Sequence, residues 1–488
     1  MNIVSFKKYI LIPFLFISLI SSFCKPFTAQ ADTSTSEMTS KRKSLIFSGR
    51  LYIGNQSLGI IVKMQRNRKK VWIGKMDSPD QGAYDIPLDT VMMDKSRLHF
   101  VSNELEISFD GTLKGHVIEG VFKQSSSSFP LNLEMGEDGY KIKRPQTPEP
   151  PYPYKVKEVS IRQTFGDFNI SGVVTIPKKK SKGTIILISG VNQEDRDATI
   201  AYHKPFAVLA DWLTRNGYTV LRCDGRGIGN TGGDFTHVTT FDFAEDVDCE
   251  VNYMKKDFKP KSKRVFLIAH GEGAMVAPLV AQIGKNIDGM ILLAAPSVTG
   301  RDVMIAQMAA VKESIKDAPL TEDKIDALKE LFNVVITSKD KELAKNIRLF
   351  CEDNYERLLS REELNEVGKE TLINLWVNQL SNPWMKFYLG YDPSIPLNVT
   401  NSKAKNSLPP TLAIYGELDR QIVASQNASA MKSLLNAPNK RYNVITLPGL
   451  NHLFQKAKSG SPLEYVRIDE TINQEVLRII LEWLDRQR

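Results

Sequence analysis

Between residues 44 and 140, apolar and polar positions alternate in short runs, and no long stretch has the apolar spacing of a helix. Turn residues such as Asp110 and Gly111 separate the runs. Alternation with a period of two places one face of a strand toward a core and the other toward solvent. We therefore predict a small antiparallel β-domain over residues 44–140. Its clearest strands are at residues 45–47, 59–62, 71–73, 98–101 and 105–109.

Residues 144–153 contain five prolines, at positions 145, 148, 150, 151 and 153. Proline lacks the backbone N–H that helices and central strands require. The segment is therefore predicted to be a stiff, extended linker, and we place the boundary between two domains there.

From residue 154 onward, short β-branched runs alternate with stretches that have the period of amphipathic helices. This alternation predicts an α/β domain over residues 154–488, built on a mostly parallel sheet with helices on both faces. In such a sheet, ligands bind at the carboxyl ends of the strands. The predicted strands are at residues 183–188, 218–223, 264–269, 290–295, 411–415 and 442–447.

The alternation stops at about residues 298–403, where apolar residues recur with helical spacing. We predict a helical cap inserted into the α/β domain, with helices over 304–315, 322–337, 341–355 and 362–379. Four aromatic residues in this region suit either of two roles, lining an acyl pocket or forming the cap's own core. They are Trp376, Trp384, Phe387 and Tyr388.

The first 31 residues have the pattern of a secretory signal peptide. Lys7 and Lys8 precede an apolar run over residues 9–23, and residues 29–31 form a small-x-small cleavage signal. The apolar run is too short for a comfortable membrane span. We therefore expect cleavage after Ala31 and a periplasmic or secreted protein without a membrane-spanning segment.

Composition narrows the possible partners. The 488 residues include 42% hydrophobic and 25% charged residues, which is typical of a globular protein. The net charge is +8, but basic and acidic residues are mixed along the chain, so we expect no nucleic-acid partner. Three cysteines of the mature chain, Cys223, Cys249 and Cys351, are too scattered for a disulfide framework. The chain has no phosphate loop, dinucleotide fingerprint or zinc motif, so we predict no cofactor and no metal.

Three positions that follow predicted strands stand in an informative order. Gly271 lies in the turn after residues 264–269, Asp419 follows 411–415, and His452 follows 442–447. Each signal alone is weak, since an Asp in a loop is more often a cap and a lone His more often structural. Together they match the order of nucleophile, acid and histidine in α/β-hydrolases. We therefore expect all three to meet at one edge of the sheet.

Other polar residues near the strand ends have simpler predicted roles. Asp195, Arg196, Asp197 and Asp224 are expected to brace loops through charge-assisted hydrogen bonds. His203 and His237 have no partners at the spacing of metal ligands.

Several longer motifs resemble those of bacterial two-domain α/β-hydrolase esterases, which also carry an N-terminal β-domain. These motifs lie at residues 189–197, 203–206, 224–229 and 447–454, and a further similar stretch is at 76–82. The resemblance covers about residues 45–486. It implies an α/β-hydrolase fold and, as substrates, esters of simple carboxylic acids. The broader group includes the serine aminopeptidase-like hydrolases.

The chain departs from this family at the nucleophile elbow. The family reads Gly-His-Ser-Glu-Gly-Gly there, whereas residues 269–274 read Ala-His-Gly-Glu-Gly-Ala. Gly271 therefore stands where the family has its nucleophilic serine, while Asp419 and His452 fall on the acid and histidine positions. The same resemblance implies an oxyanion hole formed by the backbone N–H groups of Glu272 and Val191.

A glycine at the elbow removes the usual chemistry, because it offers no oxygen or sulfur on which an acyl-enzyme could form. It also relieves the strained backbone that an elbow imposes on other residues. Three interpretations stay open. The protein is an inactive or weakly active ligand binder or scaffold, or a hydrolase of esters or peptide-like substrates in which His452 and Asp419 activate water. The third is that Gly271 is a variant in an otherwise normal esterase.

Overall fold

The structure, a computed structural model, describes residues 45–487. Short segments are excluded from the description: 54–55, 68, 82, 95, 104, 125–126, 137–143, 191–193, 259, 261, 284–286, 315–318, 362–363, 365–367, 398–407 and 436–440. The predicted signal peptide lies outside the described residues. The chain divides into two compact units. The first contains the described residues before 144 with Tyr465–Asp469, and the second contains Arg144–Glu464 and the chain from Glu470 onward.

The first unit is a nine-stranded antiparallel sheet, which confirms the predicted N-terminal β-domain. Its strand order is β4-β3-β2-β1-β9-β8-β7-β6-β5. Several strands extend well beyond the short runs that the alternation predicts. The strands are β1 Leu45–Ile53, β2 Gln56–Arg66, β3 Trp72–Ser78, β4 Ala83–Leu88, β5 Thr90–Met93, β6 Arg97–Ser102, β7 Ile107–Lys114, β8 Val117–Gln124 and β9 Ser127–Met135.

The sheet curls until its two ends approach each other. Trp72 on β3 donates its indole N–H to the carbonyl oxygen of Met93 on β5, at 3.1 Å. Apolar side chains on the inner face form one core, in which Phe109 stacks on Phe100 with ring centroids 5.0 Å apart. Gly120 makes room for this ring, because a Cβ there would lie 2.5 Å from Cζ of Phe109.

The second unit is built on an eight-stranded sheet with the order β10-β11-β13-β12-β14-β15-β16-β17. The pairs β10–β11 and β11–β13 are antiparallel, and the remaining pairs are parallel. The central strands β12, β15 and β16 are buried along their whole length, because helices cover both faces of the sheet. The strands are β10 Lys155–Gln163, β11 Phe168–Ile176, β12 Thr184–Ile188, β13 Thr219–Cys223, β14 Val265–His270, β15 Gly289–Leu293, β16 Thr411–Gly416 and β17 Tyr442–Leu447.

Among the described residues, five helices flank this sheet, one of which, Ala424–Leu434, the sequence pattern does not predict. They are α1 Pro205–Arg215, α2 Thr240–Tyr253, α3 Gly273–Ile283, α10 Ala424–Leu434 and α11 Gln474–Arg486. The second of them begins with a capping box formed by Thr239 and Asp242, and continues into a π-helical turn, Met254–Phe258. None of the helices in the described part of the chain is long and apolar enough to cross a membrane.

Among the described residues, six helices with assigned bounds lie between β15 and β16 and form the predicted helical cap. They are α4 Gly300–Ser314, α5 Glu322–Thr337, α6 Leu343–Leu358, α7 Lys369–Leu380, α8 Pro383–Gly390 and α9 Ser394–Leu397. The last two are too short to show a helical period, and periodicity alone does not predict them. Three of the four aromatic residues considered above, Trp376, Trp384 and Tyr388, are buried, and Phe387 is half-buried.

The proline-rich segment is fastened to the second unit by side-chain hydrogen bonds. Gln146 accepts from the backbone N–H groups of Thr471 and Ile472 and donates to the carbonyl oxygen of Ile472 at 2.7 Å. Arg144 donates to the carbonyl oxygen of Ala201 at 2.7 Å. Residues 144–154 contain no helix or strand, in keeping with their proline content.

Candidate active site

The elbow is the sharp turn between β14 and α3. Gly271 has φ of +58°, a left-handed conformation that favours glycine. Its N–H donates to the carbonyl oxygen of Leu293 at 2.9 Å, and its carbonyl accepts from the N–H of Ala274 at 3.0 Å. Gly273 is tightly packed, because a Cβ there would lie 2.3 Å from the carbonyl oxygen of Ser189. The backbone thus keeps the shape that presents residue 271 at the sheet edge.

Asp419 and His452 lie together at the same edge, after β16 and β17. Nδ1 of His452 is 2.8 Å from Oδ2 of Asp419. The other carboxylate oxygen, Oδ1, accepts from the N–H groups of Gln421 and Ile422, each at 2.8 Å. Because the carboxylate can only accept, Nδ1 carries the proton and Nε2 is left as the basic nitrogen. Asp419 thereby sets both the tautomer and the orientation of the imidazole.

Nε2 of His452 points at the position where the side chain of residue 271 would be. An ideal Cβ built on Gly271 lies 3.7 Å from Nε2 and 3.8 Å from Cε1 of His452. Apart from its chain neighbours, no other atom of the described residues lies within 4 Å of that Cβ. A serine Oγ about 1.4 Å from Cβ reaches a hydrogen-bond distance of roughly 2.8 Å to Nε2 at a Cβ–Oγ···Nε2 angle of about 120°. The site therefore has the space and the partner for a nucleophile that glycine does not supply.

His270, directly before the elbow glycine, supports the His452 backbone. Its Nε2 lies 2.9 Å from the carbonyl oxygen of His452, and the two rings are 4.5 Å apart. Burial lowers the pKa of His270 to about 3, and the neighbouring His452 adds to the effect. At neutral pH the ring is therefore uncharged, with its Nε2–H as the donor.

A chain of buried hydrogen bonds supports the loop that carries His452. The side-chain oxygen of Asn451 accepts from the N–H groups of Leu453 and Gln455 at 3.1 and 2.9 Å. Gln455 donates to Nε2 of His203 at 2.9 Å, so Nδ1 of His203 donates to the Thr471 hydroxyl, also at 2.9 Å. His203 is thus a structural residue, consistent with its lack of metal-ligand partners in the sequence.

Two carboxyl groups lie beside the elbow, on Glu272 and Glu194. Oε1 of Glu272 accepts from Nε1 of Trp384 at 2.7 Å and from Oγ1 of Thr240 at 2.9 Å. Burial raises the pKa of each carboxyl to about 8, and for Glu194 the charges of Asp195 and Glu272 add to the effect. Both groups are therefore mainly protonated at neutral pH.

The backbone N–H of Glu272 is one of the two predicted oxyanion-hole donors. Among the described residues, it donates to no protein acceptor. Val191 belongs to the segment 191–193, which lies outside the described residues.

The residues expected to brace loops do so. Arg196 donates from Nε and Nη2 to the two oxygens of Asp224, at 3.0 and 2.5 Å, and from Nη1 to Glu158 at 2.7 Å. Asp197 accepts from Nε of Arg222 at 2.8 Å. Asp195 accepts from backbone and hydroxyl groups of its own turn.

No metal-binding cluster is found in the described residues. His237 is exposed and pairs with Asp234 at 2.9 Å. No group of three or more His, Cys, Asp or Glu side chains there is arranged to hold a metal ion. Cys223, Cys249 and Cys351 are free thiols.

Part of the chain matches a known protein family. Residues 179–342, about a third of the chain, match the family of serine aminopeptidases, S33. No curated protein sequence matches the chain.

Solved structures with similarity to the chain include esterases and a peptidase. An esterase of Pyrococcus furiosus is 18% identical, with 71% of this chain and 98% of that chain covered and a TM-score of 0.43. The proline iminopeptidase of Mycobacterium smegmatis is 13% identical, with 68% and 98% covered and a TM-score of 0.40. An esterase of Thermogutta terrifontis is 17% identical, with 68% and 99% covered and a TM-score of 0.38.

Proposed function

We propose that this protein, whose second unit has the α/β-hydrolase fold and resembles the serine aminopeptidases, binds acyl compounds without forming an acyl-enzyme. One observation carries the proposal. His452 and Asp419 form their hydrogen bond, but the residue at the nucleophile position that His452 faces is a glycine. The pair has the geometry to activate a hydroxyl, but Gly271 has none to activate. Hydrolytic activity by the serine route is therefore absent, and any remaining activity is weak.

Small carboxylic esters or peptide-like acyl compounds are the ligands that suit the remaining groups. The free N–H of Glu272 lies next to Gly271 and can donate to a carbonyl oxygen. Nε2 of His452 faces the same space and can accept from a hydroxyl or amide of the ligand. The family match over residues 179–342 supports a ligand with a carbonyl group.

The place of action proposed for the protein is the periplasm or the cell exterior. The basic, apolar and small-residue segments of residues 1–31 support a cleaved signal peptide. A signal-sequence fusion to a reporter that works only after export tests this assignment, and retention of the reporter inside the cell contradicts it.

Direct water activation is the second candidate function, favoured by the open space at Gly271. A water in that space can give its proton to Nε2 of His452 while its oxygen bonds to the ester carbonyl carbon. As the carbon–oxygen bond to the leaving group breaks, His452 returns the proton to the leaving alkoxide. In serine proteases that lack a triad member, roughly 10³–10⁴-fold catalysis over water remains, so such activity is expected to be slow.

Turnover of short-chain aryl esters separates these functions. The parent, Gly271→Ser and His452→Ala proteins are compared at equal concentration. A parent at background with a Gly271→Ser variant faster by on the order of 10³-fold supports the binding function. Parent turnover that disappears in His452→Ala supports direct water activation instead. A folded Gly271→Ser variant that stays at background contradicts the assignment of the elbow.

A further inference from the structure

The cap is joined to the elbow through the side chain of one residue, Glu272. Its Oε1 accepts from Nε1 of Trp384, on α8 of the cap, at 2.7 Å. The same oxygen accepts from Oγ1 of Thr240, at the start of α2, at 2.9 Å. Thr240 is fully buried and Trp384 is nearly so. Water therefore has little access to the donors and the acceptor of these two hydrogen bonds. Helices α2 and α8 therefore meet at this carboxyl group, in the turn that precedes α3.

Aromatic packing surrounds these hydrogen bonds on the cap side. Trp384 stacks on Tyr388 with ring centroids 5.0 Å apart. One residue after Thr240, Phe241 packs edge-on against Phe387 of α8, with centroids 5.1 Å apart. The Phe241 side chain is nevertheless 50% exposed, so the contact lies at the rim of the cap and the hydrogen bonds lie inside it. Hydrogen bonds inside and aromatic contacts at the rim therefore hold α8 against Glu272 and the start of α2.

Glu272 carries two functions on one residue. Its carboxyl group is held by the cap and by α2, while its backbone N–H has no acceptor among the described residues. An oxyanion donor is effective only when its direction is fixed before the ligand arrives. Because Glu272 lies in a two-residue turn before α3, the side-chain contacts restrict the rotation of the peptide that bears this N–H.

We propose that Trp384 and Thr240 are positioning residues that hold Glu272, orient its backbone N–H and link the contact between cap and elbow to ligand binding. The inference rests on the proposed function, because it assigns a control of the same ligand site. Linkage is reciprocal, so the contact favours binding of the ligand oxygen and a bound ligand strengthens the contact.

Amide hydrogen exchange on the full chain tests the contact without any ligand. Lys386→Met is the matched control, because Lys386 also lies on α8 but ties it to the rest of the cap, through Ser338 at 2.6 Å and Asp340 at 2.7 Å. Trp384→Phe is expected to speed exchange about five-fold in α8 and also at the elbow amides 274–275. Lys386→Met is expected to change exchange in the cap alone. Equal exchange at the elbow in the two variants overturns the proposal.

Phosphonate labelling tests the positioning role in the Gly271→Ser background. Adding Trp384→Phe or Thr240→Val is expected to lower the second-order rate constant about five-fold each, and to lower kcat for aryl esters with little change in KM. Adding Glu272→Gln keeps the acceptor oxygen and is expected to retain most of the rate. Adding Lys386→Met is expected to leave the rate unchanged.

The outcomes of this second test separate the two proposals. Labelling that is insensitive to Trp384→Phe and Thr240→Val overturns the positioning role. A folded Gly271→Ser variant that is not labelled counts against the proposed function instead. In that case the exchange comparison alone decides whether the cap is held by Glu272.

Discussion

Replacing Gly271 by alanine or serine is expected to lower stability slightly and by different amounts. The residue has φ of +58°, and a left-handed backbone costs a residue with a Cβ about 1–2 kcal/mol. The added side chain also lowers the conformational entropy of the unfolded chain, which stabilises the folded protein by about 0.4–1 kcal/mol. No steric term is added, because the nearest atoms to the new Cβ are 3.7 and 3.8 Å away. Gly271→Ala is therefore expected to cost about 1 kcal/mol.

Serine at this position regains part of that loss. Its hydroxyl can donate to Nε2 of His452, and such a hydrogen bond contributes about 1 kcal/mol. Gly271→Ser is thus expected to be nearly as stable as the parent, and more stable than Gly271→Ala. In a His452→Ala background, the difference between the serine and alanine variants is expected to disappear.

Thermal unfolding followed by circular dichroism measures these differences. A loss of 1 kcal/mol corresponds to a fall in Tm of about 2 °C for a unit of this size. Gly449→Ala is the matched control, because Gly449 has φ of +68° and no atom of the described residues within 4 Å of its Cβ position. The Tm of Gly449→Ala is expected to be lower than that of the parent by the same amount as the Tm of Gly271→Ala. A fall several times larger at Gly271 alone would refute the conclusion that the nucleophile space is open.

Two further predictions follow from buried carboxyl groups. Adding Asp419→Asn to Gly271→Ser is expected to lower kcat for aryl esters by on the order of 10⁴-fold, because the amide no longer holds the productive tautomer of His452; an unchanged kcat contradicts this role. Burial, with a smaller effect of Asp246, raises the pKa of Glu250 to about 8 from 4.5, so the folded protein keeps a proton that the unfolded chain loses. The free energy of unfolding is therefore expected to fall as pH rises from 4.5 to 8. The contribution of Glu250 to this fall is at most about 5 kcal/mol. Glu250→Gln should remove that part of the fall, and parallel denaturation midpoints for parent and variant across this pH range contradict the prediction.

Strands β12 to β17 and the long helices of the cap are predictable because burial dictates their composition. A strand covered on both faces, such as Val265–His270, is apolar along nearly its whole length, and a glycine follows its last residue. The meeting of Gly271, Asp419 and His452 is predictable for a related reason. Parallel strands end at the same edge, so residues that follow them converge without any information about side-chain contacts.

Other parts of the fold leave a weaker signal in the sequence. The strand Ala83–Leu88 contains Pro87, and Val117–Gln124 contains Gly120, so each lacks the composition typical of a strand. The helices Pro383–Gly390 and Ser394–Leu397 have too few turns to reveal a period.

The supporting hydrogen bonds of the site could not be predicted from the sequence. His270 contacts the backbone of His452, 182 positions along the chain. Trp384 contacts Glu272 across 112 positions. Such contacts depend on where packed elements meet, and no local pattern of residue types encodes them. The one available signal was the position of His270 and Glu272 on either side of the elbow glycine.

The most direct test of the account is intact mass spectrometry after exposure to a serine-directed fluorophosphonate. The parent is expected to remain unmodified, and Gly271→Ser is expected to gain one phosphonyl adduct, mapped to position 271. Adding His452→Ala is expected to abolish the adduct in that background. A modified parent, or a folded Gly271→Ser protein that stays unmodified, contradicts the claim that a complete hydrolase site here lacks only its nucleophile.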